Sequence, residues 1–253
     1  MNFGRLDGLV WLVVCLAPFI LVQRWLHREI QAVFLLLTRR PELTIVLFSL
    51  LFFPGVLLHE TSHFLMAKLL RVPTGRFSVL PKTQPDGQLQ LGFVETAKTD
   101  FLRDALIGIA PLLSGGAVIA YLGIFHLGLV SLGNYAAHAQ WAQFWHALVQ
   151  LPDLPDFWVW FYLAFTISST MLPSASDRRA WLPLTLILVG LAGISILAGA
   201  GPWMLSNLAP RLNQLLLTLA TIFGISLVLH LILAAPIGLL AHSISRALRL
   251  KVS

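Results

Sequence analysis

The sequence predicts an all-α, polytopic membrane protein with a short β-hairpin on one side. Of its 253 residues, 57% are hydrophobic and only 11% are charged. The mean hydropathy of +0.82 is well above that of ordinary water-soluble domains. Six continuous apolar runs approach or exceed the length that a helix needs to cross about 30 Å of hydrocarbon. Because these runs lack the alternating pattern of barrel strands, we expect helices.

The six predicted transmembrane helices belong to one membrane-embedded domain, residues 1–253. The runs cover residues 7–23, 43–66, 104–125, 157–173, 180–200 and 213–236. The first run resembles a signal peptide, but it ends in a charged stretch without a small-residue cleavage site, so we expect it to be retained. We divide the domain into a first helix with an interfacial segment (1–42), a core (43–179) and two C-terminal helices with a basic tail (180–253).

The distribution of basic residues predicts the orientation in the membrane. The net charge is +6, but the charges follow the loops and form no single basic patch, so we expect no nucleic-acid partner. Residues 68–103 carry six Lys or Arg, whereas 126–156 carry none. The positive-inside rule then predicts a cytoplasmic 68–103 segment and cytoplasmic termini. The membrane that we expect is the plasma (inner) membrane of a prokaryote. Segment 24–42 has four arginines on the opposite side, which favours an interfacial position for it.

The second run contains the sequence His-Glu-Thr-Ser-His at positions 59–63. On a helix, His59 and His63 project from the same face and Glu60 lies beside it. This arrangement is typical of zinc proteases, in which two imidazoles bind the ion and the glutamate acts as general base toward water. We therefore predict a zinc cofactor and a catalytic Glu60. The alternative is a set of polar residues packed in the bundle or lining a water cavity.

A catalytic zinc site generally has a third protein ligand. The acidic residues expected at the same membrane boundary are Asp86, Glu95, Asp100, Asp104 and Asp177. Asp177 is favoured, because it follows Pro173, which can end a helix and let the chain turn inward. An ordinary loop aspartate beside Arg178 and Arg179 is the alternative interpretation.

The polar segment 71–103 has the pattern of a β-hairpin. Two short extended stretches, 76–80 and 88–94, flank a turn formed by Pro85, Asp86 and Gly87. An ordinary cytoplasmic loop is the alternative.

Together these motifs resemble the site-2 protease family of intramembrane zinc metalloproteases. The resemblance extends from about Phe52 to Arg179 and includes the stretch IGIAPLLSG in the third run. It implies a core made of the second, third and fourth runs, with zinc held by His59, His63 and Asp177. It also implies that Glu60 is the general base and that the hairpin pairs with an extended substrate strand. The implied substrate is a helix-destabilised segment of a single-span protein in the lipid bilayer.

The chain departs from the family pattern where the family holds its substrate. Ser114 and Thr170 replace two asparagines, and because both keep a hydrogen-bonding group we expect them to contact the substrate. Asp177 follows Pro173 by four residues instead of five, and Arg178 replaces a glycine. The alternative to an intramembrane zinc endopeptidase is therefore a catalytically inactive membrane scaffold or assembly subunit with the same fold.

Two other features have interpretations of their own. His230 lies inside the sixth run, where a hydrogen-bonded histidine of the bundle is favoured over a catalytic role. Intramembrane histidines and acids also serve ion transporters, which form a third, more remote class. The aromatic stretch 134–162 is typical of an interfacial belt with an amphipathic helix.

Overall fold

Helices form most of the molecule, and a small antiparallel sheet lies beside them. The computed structural model describes residues 7–83 and 89–248. In this part of the chain the helices are α1 (Asp7–Thr38), α2 (Pro41–Leu69), α3 (Phe101–Phe125), α4 (Leu129–Ala137), α5 (Trp141–Gln150), α6 (Phe157–Thr170), α7 (Trp181–Ser195), α8 (Gly201–Trp203) and α9 (Ala209–Leu248). A 3-10 turn, Leu151–Asp153, follows α5, and two π-helical turns, Ile196–Ala200 and Met204–Leu208, flank α8.

Four helical stretches among the described residues are long and apolar enough to cross a membrane. They are α1, α2, α3 and the segment Trp181–Ala247. The count differs from the six predicted spans for two reasons. The fourth run forms α6, which has 14 residues, fewer than the roughly 20 required. The fifth and sixth runs lie in one helical segment with a kink at Gly199, where φ is +89°, a conformation that glycine adopts readily.

The first helix extends much further than its apolar run predicts. α1 has 32 residues and includes most of segment 24–42, for which we expected a separate interfacial position. Leu26, Ile30 and Val33 are buried at helical spacing beyond the first arginine of that segment. Burial of this stripe explains why the helix continues past the predicted boundary, because tertiary packing stabilises helix where polar residues alone would not.

Helices α2, α3 and α6 pack against one another and form the centre of the fold. α2 and α3 are antiparallel, since Ser62 contacts Ser114 and His63 contacts Ile107. α2 and α6 are parallel, and the Tyr162 hydroxyl of α6 donates to the Leu51 carbonyl of α2 at 2.9 Å. Helices α3 and α6 therefore flank residues 59–63 of α2 on two sides.

The long helices α1 and α9 pack side by side in the same direction. The Gly8 N–H donates to Asn213 Oδ1 at 2.7 Å near their first residues. Further along, Gly238 leaves room for the Trp25 ring, which a Cβ at that position would meet at 2.9 Å. The apolar core joins these two helices to the central three, through Phe19, Ile119, Phe161 and Phe223 in one cluster and Leu26, Phe52 and Phe165 in another.

Four short strands between α2 and α3 form two antiparallel pairs. β1 (Thr74–Ser78) pairs with β4 (Phe93–Thr96), and β2 (Lys82–Thr83) pairs with β3 (Leu89–Gln90). These pairs confirm the predicted hairpin. Its predicted turn, residues 85–87, lies outside the described residues. The hairpin follows the C-terminal end of α2 in the chain, and its strand β4 contacts that helix.

Candidate metal centre

The two histidines of α2 point toward each other and are oriented by carbonyl groups of two other helices. The Nε2 atoms of His59 and His63 are 3.1 Å apart. His59 Nδ1 lies 2.6 Å from the Thr170 carbonyl oxygen, and His63 Nδ1 lies 2.8 Å from the Ile107 carbonyl oxygen. A carbonyl oxygen only accepts hydrogen bonds, so each Nδ1 carries the proton and donates it. In the neutral rings, each Nε2 is therefore left with a free lone pair.

Both carbonyl groups are available because neither has the backbone N–H donor, four residues further along, that a carbonyl inside a helix normally has. α6 ends at Thr170, and the last carbonyl groups of a helix have no intrahelical donor. In α3 the residue four positions after Ile107 is Pro111, which has no backbone N–H to offer. The end of one helix and a proline inside another thus fix the ring orientation of His59 and His63.

The two Nε2 atoms are 3.1 Å apart, and their lone pairs repel each other unless a positive charge lies between them. A proton or a metal ion supplies that charge. The carboxylate of Asp177 completes the group, with Oδ1 at 3.4 Å from His63 Nε2 and Oδ2 at 3.8 Å from His59 Nε2. The donor atoms of the three residues all lie within 4.8 Å of one another.

The three residues can hold a metal ion. In a tetrahedral site with ligand bonds of about 2.0–2.2 Å, neighbouring ligand atoms are separated by about 3.3–3.6 Å. The 3.1 Å between the two Nε2 atoms and the 3.4 Å from His63 Nε2 to Asp177 Oδ1 lie close to this range, and the other carboxylate oxygen, Oδ2, lies 3.8 Å from His59 Nε2. Three protein ligands also leave the fourth tetrahedral position open, as in catalytic sites.

Asp177 belongs to a turn between α6 and α7 that is held by its own hydrogen bonds. The Ser174 N–H and hydroxyl both donate to Asp177 Oδ2, at 2.7 and 2.6 Å. Burial opposes ionisation of the Asp177 carboxyl, but the neighbouring His63 and Ser174 outweigh this effect and hold its pKa well below the usual value. The side chain is therefore a carboxylate at neutral pH, the form that binds a cation.

Two contacts with α3 hold this turn in place. The Asp177 backbone carbonyl lies so close to Gly108 that a Cβ at position 108 would overlap it. Arg179 makes a bidentate ion pair with Asp104, through hydrogen bonds of 2.7 Å to each carboxylate oxygen. Such paired bonds fix geometry as well as adding attraction. Both contacts place the turn against the first two turns of α3, beside the carbonyl that orients His63.

Glu60 borders the same centre and is covered by the sheet. Its side chain is buried, with 7% of the residue exposed. Gly92, just before β4, packs directly on it, since a Cβ at position 92 would lie 2.7 Å from Glu60 Cγ. The glutamate is thus enclosed between α2 and the hairpin.

A cavity of about 420 Å³ contains these groups. Its lining comes from α2, α3, the end of α6, the Asp177 turn and the hairpin, and also from α1. The lining residues are His27, Val56, His59, Glu60, His63, Gln90, Leu91, Gly92, Phe93, Val94, Thr96, Asp104, Ile107, Gly108, Ser169, Thr170, Ser174, Ser176, Asp177 and Arg179. The volume suffices for a few residues of an extended peptide.

The structure brings His59, Glu60, His63 and Asp177 to one cavity, as the sequence predicts. Thr170 also lines it, but its hydroxyl donates to the Thr166 carbonyl of its own helix at 3.1 Å. Ser114 instead contacts the Ser62 hydroxyl between α2 and α3. The predicted roles of Thr170 and Ser114 in substrate binding remain predictions.

The other acidic candidates have partners elsewhere. Asp104 is paired with Arg179, Glu95 lies 3.7 Å from Arg76, and Asp100 caps the first turn of α3 by accepting from the Arg103 N–H. The N–H bond of this cap lowers the pKa of the exposed Asp100 carboxyl. Asp86 lies outside the described residues.

Sequence reasoning did not identify the residues that position the site. Gly92, Gly108 and the Asp104–Arg179 pair act through contacts between segments distant in the chain. Only Pro111 carried a usable signal, because a proline inside a helix always frees the carbonyl four residues before it.

Comparisons with known proteins do not assign the chain to a family. No family model matches it, no curated protein matches it, and no solved structure matches its fold. The function of the site therefore has to be argued from the geometry of its own residues.

Proposed function

We propose that this protein is an intramembrane zinc endopeptidase, similar to the site-2 proteases, that cleaves transmembrane segments of single-span membrane proteins. One observation carries the proposal. His59 and His63 direct two imidazole lone pairs at a point that the Asp177 carboxylate also approaches, and the separations suit a tetrahedral zinc ion. Two imidazoles and one carboxylate are a frequent ligand set of catalytic zinc in peptidases.

Each residue has a defined task in the proposed hydrolysis. Zinc, when bound, lowers the pKa of water and polarises the scissile carbonyl group. Glu60 accepts a proton from the attacking water, whose oxygen forms the new bond to the carbonyl carbon. Glu60 then returns the proton to the amide nitrogen as the carbon–nitrogen bond breaks. His59, His63 and Asp177 act as ligands and keep their orientation throughout.

The cavity suits a substrate that has lost its helical structure. A peptide bond inside a helix is shielded by its neighbours, so a substrate segment has to unwind before its carbonyl can be attacked. Three of the hairpin residues that line the cavity, Phe93, Val94 and Thr96, belong to β4, which in the described part of the chain pairs on one side only, with β1. An extended substrate strand that pairs with this hairpin recovers some of the backbone hydrogen bonds lost on unwinding.

We further propose a multi-pass arrangement in a prokaryotic plasma membrane, with both termini in the cytoplasm. The basic segment 68–103 includes the whole hairpin, and by the positive-inside rule it faces the cytoplasm. Water would then reach the cavity from that side.

The first test is the zinc content of purified protein without a polyhistidine tag. We expect one zinc per chain in the wild type, none in His59→Ala, and a reduced amount in Asp177→Ala. His138→Ala is the matched control, because His138 is exposed just after α4 and, among residues 7–83 and 89–248, its ring bonds only the Asn134 carbonyl. Absence of zinc from folded, zinc-supplemented wild type would overturn the proposal.

The second test is cleavage of synthetic transmembrane peptides in detergent, with and without a central Asn-Gly pair that weakens the helix. Hydrolysis in water labelled with heavy oxygen adds the label to the new carboxyl group, which mass spectrometry detects. Glu60→Gln should keep its zinc and lose cleavage, because the amide cannot accept the proton. A Glu60→Gln variant as active as the wild type contradicts the assigned role.

A further inference from the structure

Helix α1 contributes one polar side chain, His27, to the wall of the cavity that contains His59, His63 and Asp177. α1 lies outside the three helices that carry the proposed zinc ligands and base. The His27 ring packs against two aromatic rings of α2, at 4.7 Å from the Phe52 centroid and 5.5 Å from the Phe48 centroid. Nothing in the proposed hydrolysis uses this residue.

Among the described residues, the Nε2 atom of His27 is buried and has no hydrogen-bond partner. A buried polar atom without a partner destabilises a fold, and native structures contain few of them. Retention of a histidine here costs stability that an apolar side chain of similar shape would not. A requirement other than folding therefore explains its presence.

His230, a fully buried histidine near this wall, shows the contrast. Its Nδ1 donates to the Ser226 carbonyl at 2.7 Å, and its Nε2 accepts from the Ser169 hydroxyl at 2.9 Å. Both ring nitrogens are satisfied within the fold. His230 thus has a sufficient structural explanation, whereas His27 has none.

The position of His27 relates it to a substrate in the cavity. Phe52, the nearer ring contact, precedes His59 by seven residues, which corresponds to about 10 Å along a helix. An extended peptide covers this distance with about three residues. His27 thus lies within one short peptide length of the proposed scissile bond.

We propose that His27 is a substrate-binding residue that forms a hydrogen bond with a backbone group of the unwound peptide, about three residues from the cleaved bond. This inference rests on the proposed function and deepens it. An unwound segment that has left both its helix and bulk water has unpaired N–H and C=O groups, each costly to leave without a partner. An imidazole can donate to a C=O or accept from an N–H, so it satisfies either group irrespective of the substrate side chain. Phe48 and Phe52 hold the ring in place.

His27→Phe tests this inference, because phenylalanine keeps the ring packing and removes both nitrogens. We expect zinc content to be unchanged, and the melting temperature to stay equal or rise. For an Asn-Gly transmembrane peptide that the wild type cleaves, KM should rise about tenfold and kcat should change little. His27→Gln, which restores a donor and an acceptor, should recover part of the affinity. His138→Phe, outside the cavity, is the control and should match the wild type in all four measurements.

A structural role for His27 gives the opposite pattern. His27→Phe would then lower the melting temperature and leave KM unchanged, and this result overturns the inference. If the wild type cleaves the peptide and His27→Phe has the same KM, the inference is likewise overturned, while the proposed function stands.

Failure of the proposed function is recognised separately. If the zinc-loaded wild type cleaves none of the peptides, the peptidase proposal fails. The same fluorescently labelled Asn-Gly peptide then decides on His27 by anisotropy. Weaker binding to His27→Phe than to wild type supports a peptide-binding role, and equal binding, or none to either protein, overturns it.

Discussion

Substitution of Gly108 by alanine should detach Asp177 from the metal centre. In the present structure, an added Cβ would overlap the Asp177 carbonyl oxygen and lie 2.9 Å from its carbonyl carbon. Ordinary contact between carbon atoms requires about 3.5–4.0 Å, so the turn would have to move away by about 1 Å. Backbone on both sides of the contact leaves no flexible side chain to absorb this movement.

A displacement of 1 Å is large compared with the tolerance of a metal site. Ligand distances in zinc sites vary by about 0.2 Å, so the Asp177 carboxylate would no longer reach the ion. We expect Gly108→Ala to bind zinc at least tenfold more weakly, and to cleave peptides about a hundredfold more slowly. Competition with a coloured chelator measures the zinc Kd, and peptide cleavage is followed by mass spectrometry.

Gly116→Ala on the same helix separates the local clash from the general effect of the substitution. A Cβ at position 116 meets only the end of the Ile222 side chain, at 3.3 Å. Both variants gain about 1 kcal/mol of helix propensity, so they should differ only in the contact they create. Wild-type zinc affinity in Gly108→Ala would refute the reasoning, because it would mean that the turn is not held where we describe it.

Three further predictions concern the same centre. Arg179→Ala should weaken zinc binding about fivefold, since solvent screening of this half-exposed guanidinium limits the ion pair with Asp104 to about 1 kcal/mol. The double variant Asp104→Arg with Arg179→Asp exchanges the two charges and should recover zinc affinity. A double variant that binds zinc no better than Arg179→Ala would contradict a direct pairing. Gly92→Ala should lower kcat about tenfold at unchanged zinc content, because the new Cβ would crowd the Glu60 side chain; equal kcat would show that the hairpin yields at this point. Removal of zinc by a chelator should lower the melting temperature by about 5–10 °C, as expected for loss of a ligand present at a hundred times its Kd; a melting temperature that is insensitive to the chelator would mean that the ion does not stabilise the fold.

The sequence predicted the helices and the group of residues that could hold a metal ion through two kinds of local information. A helix that crosses a bilayer needs a long apolar run, and each predicted run forms helix over most of its length, although residues 171–173 of the fourth run lie beyond the end of α6. The spacing of His59 and His63 places both on one helix face, and the three predicted ligands do lie within 4.8 Å of one another. The choice of Asp177 depended on Pro173, which marks where the chain leaves α6.

Features that depend on contacts between distant segments could not be predicted in this way. Segment 24–42 contains four arginines, which suggested an interface, but burial of Leu26 and Ile30 against α2 extends α1 through most of it. The importance of Gly108 is equally invisible in the sequence, because a glycine inside a helix shows its purpose only when the opposite backbone is known. His27 appears as one polar residue on an arginine-rich helix until its place in the cavity is seen.

The way His59 and His63 are oriented has a consequence for how this chain tolerates mutation. Their partners are main-chain oxygens of residues 170 and 107, which every amino acid possesses. Replacement of the Ile107 side chain by another apolar group should therefore leave the orientation of the His63 ring intact, so position 107 should tolerate such substitutions. The constraint falls on Pro111 instead, because any other residue there would bring back an N–H that competes with His63 for the same oxygen. We therefore expect position 111 to tolerate fewer substitutions than position 107, although the oxygen that orients His63 belongs to Ile107.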